Sequence, residues 1–230
     1  MPKKSPPSIF PNPEEADNVE GIVSFSYDLN AAMLQDAYFH GLFPWPLNDE
    51  IIPWVSPPER GVILLEEFHI PRSFQRQLRK GQFELRIDTA FEEVIRGCAT
   101  QERPGGGTWI TPKIIEAYCE LHEAGWAHSF ETWEKATGRL VGGMYGVSVG
   151  RVFSGESMYH IVSGASKFAL VGAANILQKC GVTILDTEMV TSTTALFGAR
   201  EIPRAQFLKL LKAGRGKPLS TDDLRTAMGR

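Results

Sequence analysis

Residues 127–158 constrain the fold most. Three runs rich in β-branched, aromatic and apolar residues lie at about 127–134, 139–148 and 151–158, separated by Lys135-Ala136-Thr137-Gly138 and then by Gly150. Connectors that short join antiparallel neighbours, so the three runs read as a hairpin meander. A helical apolar period over 165–179 and a strand-like run over 182–188 follow. A strand that comes back after a helix rejoins the same sheet, and helices on both faces are then needed to bury it. The expected class is α/β (α+β), a mixed sheet flanked by helices.

The segments before and after the meander are placed by their punctuation. Asn30 reads as the N-cap of a short helix with Leu34, Ala37 and Tyr38 on one face and Gly41 at its end. The next twenty residues, "GLFPWPLNDEIIPWVSPPER", hold five prolines and two tryptophans, which predicts neither helix nor central sheet. A second short helix starts at Pro71, turns Phe74 and Leu78 inward and ends at Gly81. A strand at 83–87 leads to Thr89 and Glu92, which read as a capping box for a helix with Phe91, Val94, Ile95 and Cys98 on one face. Thr111-Pro112 caps the next helix, which Gly125 ends; short helices near 192–198 and 203–212 complete the chain. The expected organisation is a Pro-rich flexible tail (1–19), a small N-terminal domain (20–81), a larger domain (82–214) and a polar C-terminal tail (215–230).

Composition narrows the function. With 43% hydrophobic residues the chain can bury a real core, and a net charge of −3 excludes a global basic field, so a nucleic-acid partner would have to meet a local patch. Cys98, Cys119 and Cys180 are widely spaced and match no disulfide framework or zinc pattern, so no metal is expected. The N-terminus has no apolar signal region and no stretch reaches 18 apolar residues, which points to a soluble cytoplasmic protein without a membrane partner.

Four places carry candidate chemistry. The run "GVTILDTEMVTS" ends on Asp186 and Glu188, which on a regular strand share one face about 7 Å apart. They are either solvated acids at a strand end or two carboxylates in one cleft, since ligands of α/β sheets sit beyond strand C-termini. Glu156, between Gly155 and Ser157, is an exposed edge residue or a paired group in a pocket. Trp45, Trp54 and Trp109 lie beside Pro or Gly in loops, as core residues or as stacking platforms for a base. Arg72, Arg76, Arg79 and Lys80 share one face of the second helix, either plain solvated surface or a phosphate contact. "GGMYGVSVG" lies between strands and opens no helix, so it is neither a P-loop nor a dinucleotide fingerprint.

From residue 83 the element order is that of the GNAT acyltransferase fold. Ile161-Val162-Ser163-Gly164-Ala165 stands where GNAT enzymes carry their pyrophosphate loop, which disfavours CoA as the acyl donor. The segments "AYFHGLFPW", "WVSPPERGVI", "GTWITPKIIEAYCELHEAGWAHSFETW", "LVGGMYGVSVGRVFSGESM", "ASKFALV" and "FGAREIPR" resemble, in order and spacing from about residue 20 to 210, the leucyl/phenylalanyl-tRNA–protein transferases. The resemblance implies a small N-terminal domain before a GNAT-like one. It also implies transfer of an apolar aminoacyl group (Leu, Phe or Met) from aminoacyl-tRNA to the N-terminal amine of a protein beginning with Lys or Arg. It implies further that the product is marked for N-degron degradation and that no metal or organic cofactor is needed; a monomer is expected.

Carried over residue by residue, the resemblance has Asp186 orient the reacting amine or its proton path and Glu188 relay the proton. Met144, Phe153, Leu170 and Leu185 form the aminoacyl pocket, with Glu156 at its polar end on the α-amine. Trp109 and Trp54 pack against the 3′ adenosine, and Arg72, Arg76, Arg79 and Lys80 meet the acceptor arm of tRNA. Departures cluster near the acceptor side. The family usually has Gln where Glu188 stands and His where Thr193 stands; His160, Ile161 and Gly164 also differ, "SYDL" replaces "GGDL", and Val55 replaces one of two tryptophans. Two other readings remain open here: a CoA-dependent N-acyltransferase on the same fold, and a catalytically altered tRNA- or peptide-binding homologue.

Overall fold

The computed structural model describes residues 8–46, 48, 50–101 and 107–229. In chain order its strands are β1 (Ile22–Ser26), β2 (Phe43–Pro44), β3 (Ile52–Val55), β4 (Glu59–Leu64), β5 (Phe83–Ile87), β6 (Ala127–Glu134), β7 (Arg139–Val149), β8 (Val152–His160), β9 (Ile184–Glu188) and β10 (Arg200–Pro203). Its α-helices are α1 (Ala31–His40), α2 (Arg72–Leu78), α3 (Phe91–Thr100), α4 (Pro112–Glu123), α5 (Ala165–Lys179), α6 (Ser192–Ala195), α7 (Arg204–Gly214) and α8 (Thr221–Met228). Among the described residues no helix is long and apolar enough to cross a membrane.

The meander forms as expected and organises a seven-stranded sheet in the order β10-β4-β9-β8-β7-β6-β5. Its neighbours are antiparallel except β8 and β9, which run parallel because α5 carries the chain back across the sheet. One face of the sheet closes over Leu34, Val94, Tyr118, Tyr145 and Phe207, from α1, α3, α4, β7 and α7. The other buries Phe130, Phe153, Leu170, Leu177, Leu185 and Leu224 beneath α5 and α8. The architecture is the expected mixed α/β sheet with helices on both faces.

Several expectations are corrected. The Pro-rich segment does enter sheets: β3 is the middle strand of a second sheet, β1-β3-β2, with Pro53 opposite Phe25. Proline lacks only the donor, and the Pro53 carbonyl still accepts from Trp45 N at 2.8 Å. From the same segment β4 pairs with β9 and β10, so the large sheet crosses the expected boundary at residue 81. The expected N-terminal tail falls partly outside the described residues. From residue 8 it is anchored, with Ser8 Oγ and Ile9 N donating to Asp36 and the Phe10 ring 4.6 Å from that of Trp54.

At the other end, the expected polar tail forms α8. A Ser220/Asp223 capping box starts it, and Leu224 is fully buried. The polar groups of this region converge on Asp88, which accepts from Thr221 Oγ1, from Ser129 N and from His128, while Arg225 donates to the Ile87 and Asp88 carbonyls. The Thr89/Glu92 capping box does not form. Glu131 on β6 takes over the start of α3, accepting from Thr89 N at 2.7 Å and Ala90 N at 2.8 Å, and from the Thr89 hydroxyl.

Candidate active site

The site is made where the two parallel strands part. β8 and β9 stay in register through Val152↔Ile184, Phe153↔Leu185 and Ser154↔Asp186 and no further, although β8 runs on to His160. Each strand carries an extra residue just beyond this point. Gly155 to Ser157 on β8 is matched by a single step, Gly146 to Tyr145, on β7; Asp186 to Glu188 on β9 is matched by Val62 to Gly61 on β4. Glu156 and Thr187 are thus bulge residues, and bulges bend the strands that carry them. Between the diverging ends opens a cavity of about 590 Å³, within the range of small-molecule sites.

Its walls bring together Met144, Glu156, Leu170, Leu185, Glu188 and Trp109, six of the residues singled out from sequence. Trp45, also singled out from sequence, lines them too, along with Met158, Thr187, Met189, Thr191 and Thr194 among others. The lining is mostly apolar, and two buried carboxylates interrupt it. Glu156 is 9% exposed and Glu188 4% exposed, and each keeps one oxygen, Oε1, without a hydrogen-bond partner among the described residues. A buried carboxylate oxygen left unpaired is costly, so these two atoms mark where a ligand's donors would be accepted.

Electrostatics separates the two. Burial raises the Glu156 carboxyl to about 7, against the hydrogen bond it accepts from Tyr118 Oη at 2.9 Å. Tyr118 is in turn hydrogen-bonded to Tyr38, and burial pushes both phenols well above their ordinary range. The Glu188 carboxyl is also raised well above the usual carboxylate range, by burial first and then by the neighbouring Glu156; Arg60 acts in the opposite direction.

Asp186 is not on the wall. The bulge breaks the period of two that would have put it beside Glu188, and its carboxylate is fully used. Oδ1 accepts from Arg60 Nε at 2.8 Å and from Glu188 N at 2.9 Å; Oδ2 accepts from Arg60 Nη2 at 2.7 Å and from Ser154 Oγ at 2.9 Å. In this arrangement no lone pair of Asp186 is left to orient an amine, as the sequence expectation would have it do. It holds Glu188 at φ +59°, a left-handed conformation that costs a non-glycine residue about 1–3 kcal/mol.

Three other placements differ from expectation. Trp54 is wholly buried, with its indole N–H on Ser26 Oγ at 2.8 Å, so it offers no face to a base. Trp45 stands at the cavity instead, stacked on Trp109 with centroids 5.9 Å apart. Phe153 lies behind the wall, edge-on to Phe130 at 5.8 Å, where it supports the pocket without lining it. Arg72 and Arg76 on α2 and Arg79 and Lys80 in the turn after it are exposed, outside the main cavity. Arg76 and Lys80 line a separate cleft of about 410 Å³ with Val162 and Ser163, just before α5.

Sequence reasoning missed Arg60, Ser154, Tyr38 and Tyr118. The signal for Arg60 was a lone cation directly before the apolar run of "ERGVILL"; Tyr118 shares the inward face of α4 with Ile114 and Leu121. Among the described residues no group of three or more His, Cys, Asp or Glu is placed to hold a metal ion.

Comparison with known proteins identifies the chemistry of this architecture. The profile of the family described as leucyl/phenylalanyl-tRNA protein transferase matches residues 62–212, which include β8, β9 and every cavity residue named above except Trp45. The chain belongs to this family. Leucyl/phenylalanyl-tRNA–protein transferases of similar sequence include that of Aromatoleum aromaticum, 47% identical over 86% of this chain and 83% of that protein. Those of Oleidesulfovibrio alaskensis and Myxococcus xanthus are each 44% identical, over 91% and 92% of this chain and 86% and 90% of their own. Among solved structures, L-PGS from Bacillus licheniformis is a distant likeness with a TM-score of 0.42 and 12% identity, covering 74% of this chain and 56% of that one. The chain is thus an aminoacyltransferase of the leucyl/phenylalanyl-tRNA–protein transferase type.

Proposed function

We propose that the cavity between β8 and β9 receives the aminoacyl end of a tRNA charged with Leu, Phe or Met. Its aminoacyl group then passes to the N-terminal amine of a cytoplasmic protein that begins with Lys or Arg, marking that protein for N-degron degradation. The observation that carries the reading is an apolar cavity with two buried carboxylates, each holding one unpaired oxygen.

Met144, Leu170 and Leu185 provide the apolar contacts an unbranched, branched or aromatic side chain needs, while Glu156 Oε1 accepts from the donor's α-ammonium. Trp45 and Trp109 offer indole faces to the 3′ adenine. The exposed cations of α2 supply the local charge for the acceptor arm that the net charge of −3 does not.

An aminoacyl ester is already activated, so the protein must bring ester and amine together and manage one proton. The acceptor nitrogen attacks the ester carbonyl and forms a C–N bond. Glu188 takes the proton that the nitrogen loses, the C–O bond to the 3′ oxygen breaks, and that oxygen leaves with the proton returned. A carboxylate can accept a proton outright, and burial raises the affinity of Glu188 for it.

The test is to incubate the protein with radiolabelled Leu-, Phe- and Met-tRNA and with peptides that start with Lys, Arg or an acid. Label should pass to the Lys- and Arg-initiated peptides. Absence of transfer from every donor to every peptide would sink the reading.

A further inference from the structure

We propose that Arg60 is a positioning residue for aminoacyl transfer: through Asp186 it fixes the backbone of Glu188 in the turn that delivers this carboxylate to the cavity. The inference rests on the reading of Glu188 as the proton acceptor.

The arrangement is a relay of geometry from the N-terminal part of the chain to the reacting groups. The Arg60 guanidinium is 1% exposed and lies between two rings, 4.5 Å from the centroid of Phe43 and 4.6 Å from that of Phe207. Rings from β2 and α7 thereby set its plane. That plane sets the carboxylate of Asp186, since a two-pronged pairing fixes orientation as well as distance. The lone pair of Oδ1 not used by Arg60 accepts from Glu188 N at 2.9 Å, across the bulge. Without the guanidinium, Asp186 would be an unpaired charge in a fully buried position, and it would turn or take up a proton. The anchor for Glu188 N would go with it.

Arg60 also bears on the charge of the site. The titratable groups that face Glu188 are Glu156 from β8, Asp186 from β9, the phenols of Tyr38 and Tyr118 from α1 and α4, and Arg60 from β4. Arg60 is the one cation among these, and its charge favours the ionised form of both glutamates. Removing the charge therefore raises the pH at which Glu188 can act as a base. Removing only the fork geometry does not.

The two effects come apart in two variants. Arg60→Lys keeps the charge and loses the fork; Arg60→Gln loses both. In transfer from Leu-tRNA to a Lys-initiated peptide, Arg60→Lys should lower kcat about tenfold or more, leave the donor KM within about twofold, and keep the acid limb of the pH profile in place. Arg60→Gln should in addition move that limb to higher pH by about a unit. Arg60→Gln with the wild-type kcat and limb overturns the proposal, as does Arg60→Lys with the wild-type kcat. If neither folds, Phe207→Leu decides: it removes one ring of the sandwich and leaves both charges, and a kcat equal to wild type overturns the proposal. Glu188→Gln run in parallel separates the two readings. A wild-type profile for Glu188→Gln removes Glu188 as the base whatever Arg60 does. Loss of the limb in Glu188→Gln with Arg60 variants unchanged removes only the role of Arg60.

Discussion

Asp186 and Glu188 stand two residues apart, and the structure gives them unlike surroundings. Asp186 accepts four hydrogen bonds and pairs with a buried arginine. Taking one partner out of such a pair leaves the other uncompensated, at a cost of about 3–5 kcal/mol. Asp186→Ala should therefore lower stability by that amount in urea unfolding, as well as lowering the rate. A normal unfolding midpoint with a slow rate would instead mean that Asp186 acts on the reacting groups directly. Glu156 gives a test of opposite sign. Its folded carboxyl titrates at about 7, above its unfolded value near 4.3, so between those pH values the folded chain holds a proton that the unfolded chain has lost. Its contribution is fully present below the unfolded value and is lost as pH rises toward 7; Glu188 adds in the same direction. Glu156→Gln should weaken donor binding yet raise the urea midpoint at pH 8 relative to wild type, with little difference at pH 4.5. Parallel midpoint curves would contradict the buried-acid account. What hid these differences from sequence was a single extra residue, Thr187: period-two reasoning holds for a regular strand, and a bulge resets it.

At the level of elements, the long periodic segments were the legible ones. α5 and β5 fall at the expected residues, and Phe91, Val94, Ile95 and Cys98 of α3 are all buried as their spacing requires. The illegible ones depend on partners remote in sequence. Nothing local announces that Glu131 will cap α3 from a neighbouring strand, or that β3 and β4 will find β1, β9 and β10 despite their prolines. α8 is the sharpest case. Its surface is polar enough to suggest a tail, but Leu224 is fully buried and joins the same apolar cluster as Leu170, Leu185 and Met144 of the cavity wall. Leu224→Ala should cost about 2–5 kcal/mol in unfolding free energy, where a residue in a solvated tail would cost almost nothing. A midpoint unchanged from wild type would return α8 to the status of an appendage.

For the whole molecule, a mildly acidic chain must still bind a polyanion, and the charge proposed for that is local to α2 and the turn after it. Arg76 and Lys80 line the cleft beside the loop that enters α5. Replacing both with Gln removes two phosphate contacts, so the slope of log affinity for Leu-tRNA against log salt should become shallower by about 1.4–1.8. A slope that stays the same would place the tRNA backbone elsewhere. The motif pattern spread along the chain carried the family; the site geometry came from the divergence of two parallel strands, which no stretch of sequence displays. The most direct measurement is a structure of the protein with a stable, amide-linked leucyl-adenosine. With this donor bound, the leucyl side chain should lie against Met144, Leu170 and Leu185, the α-ammonium within hydrogen-bond distance of Glu156, and adenine on Trp45 or Trp109. The donor carbonyl should lie within one water of Glu188. A leucyl side chain seated outside the cavity between β8 and β9, or an α-ammonium without a contact to Glu156, would contradict this placement.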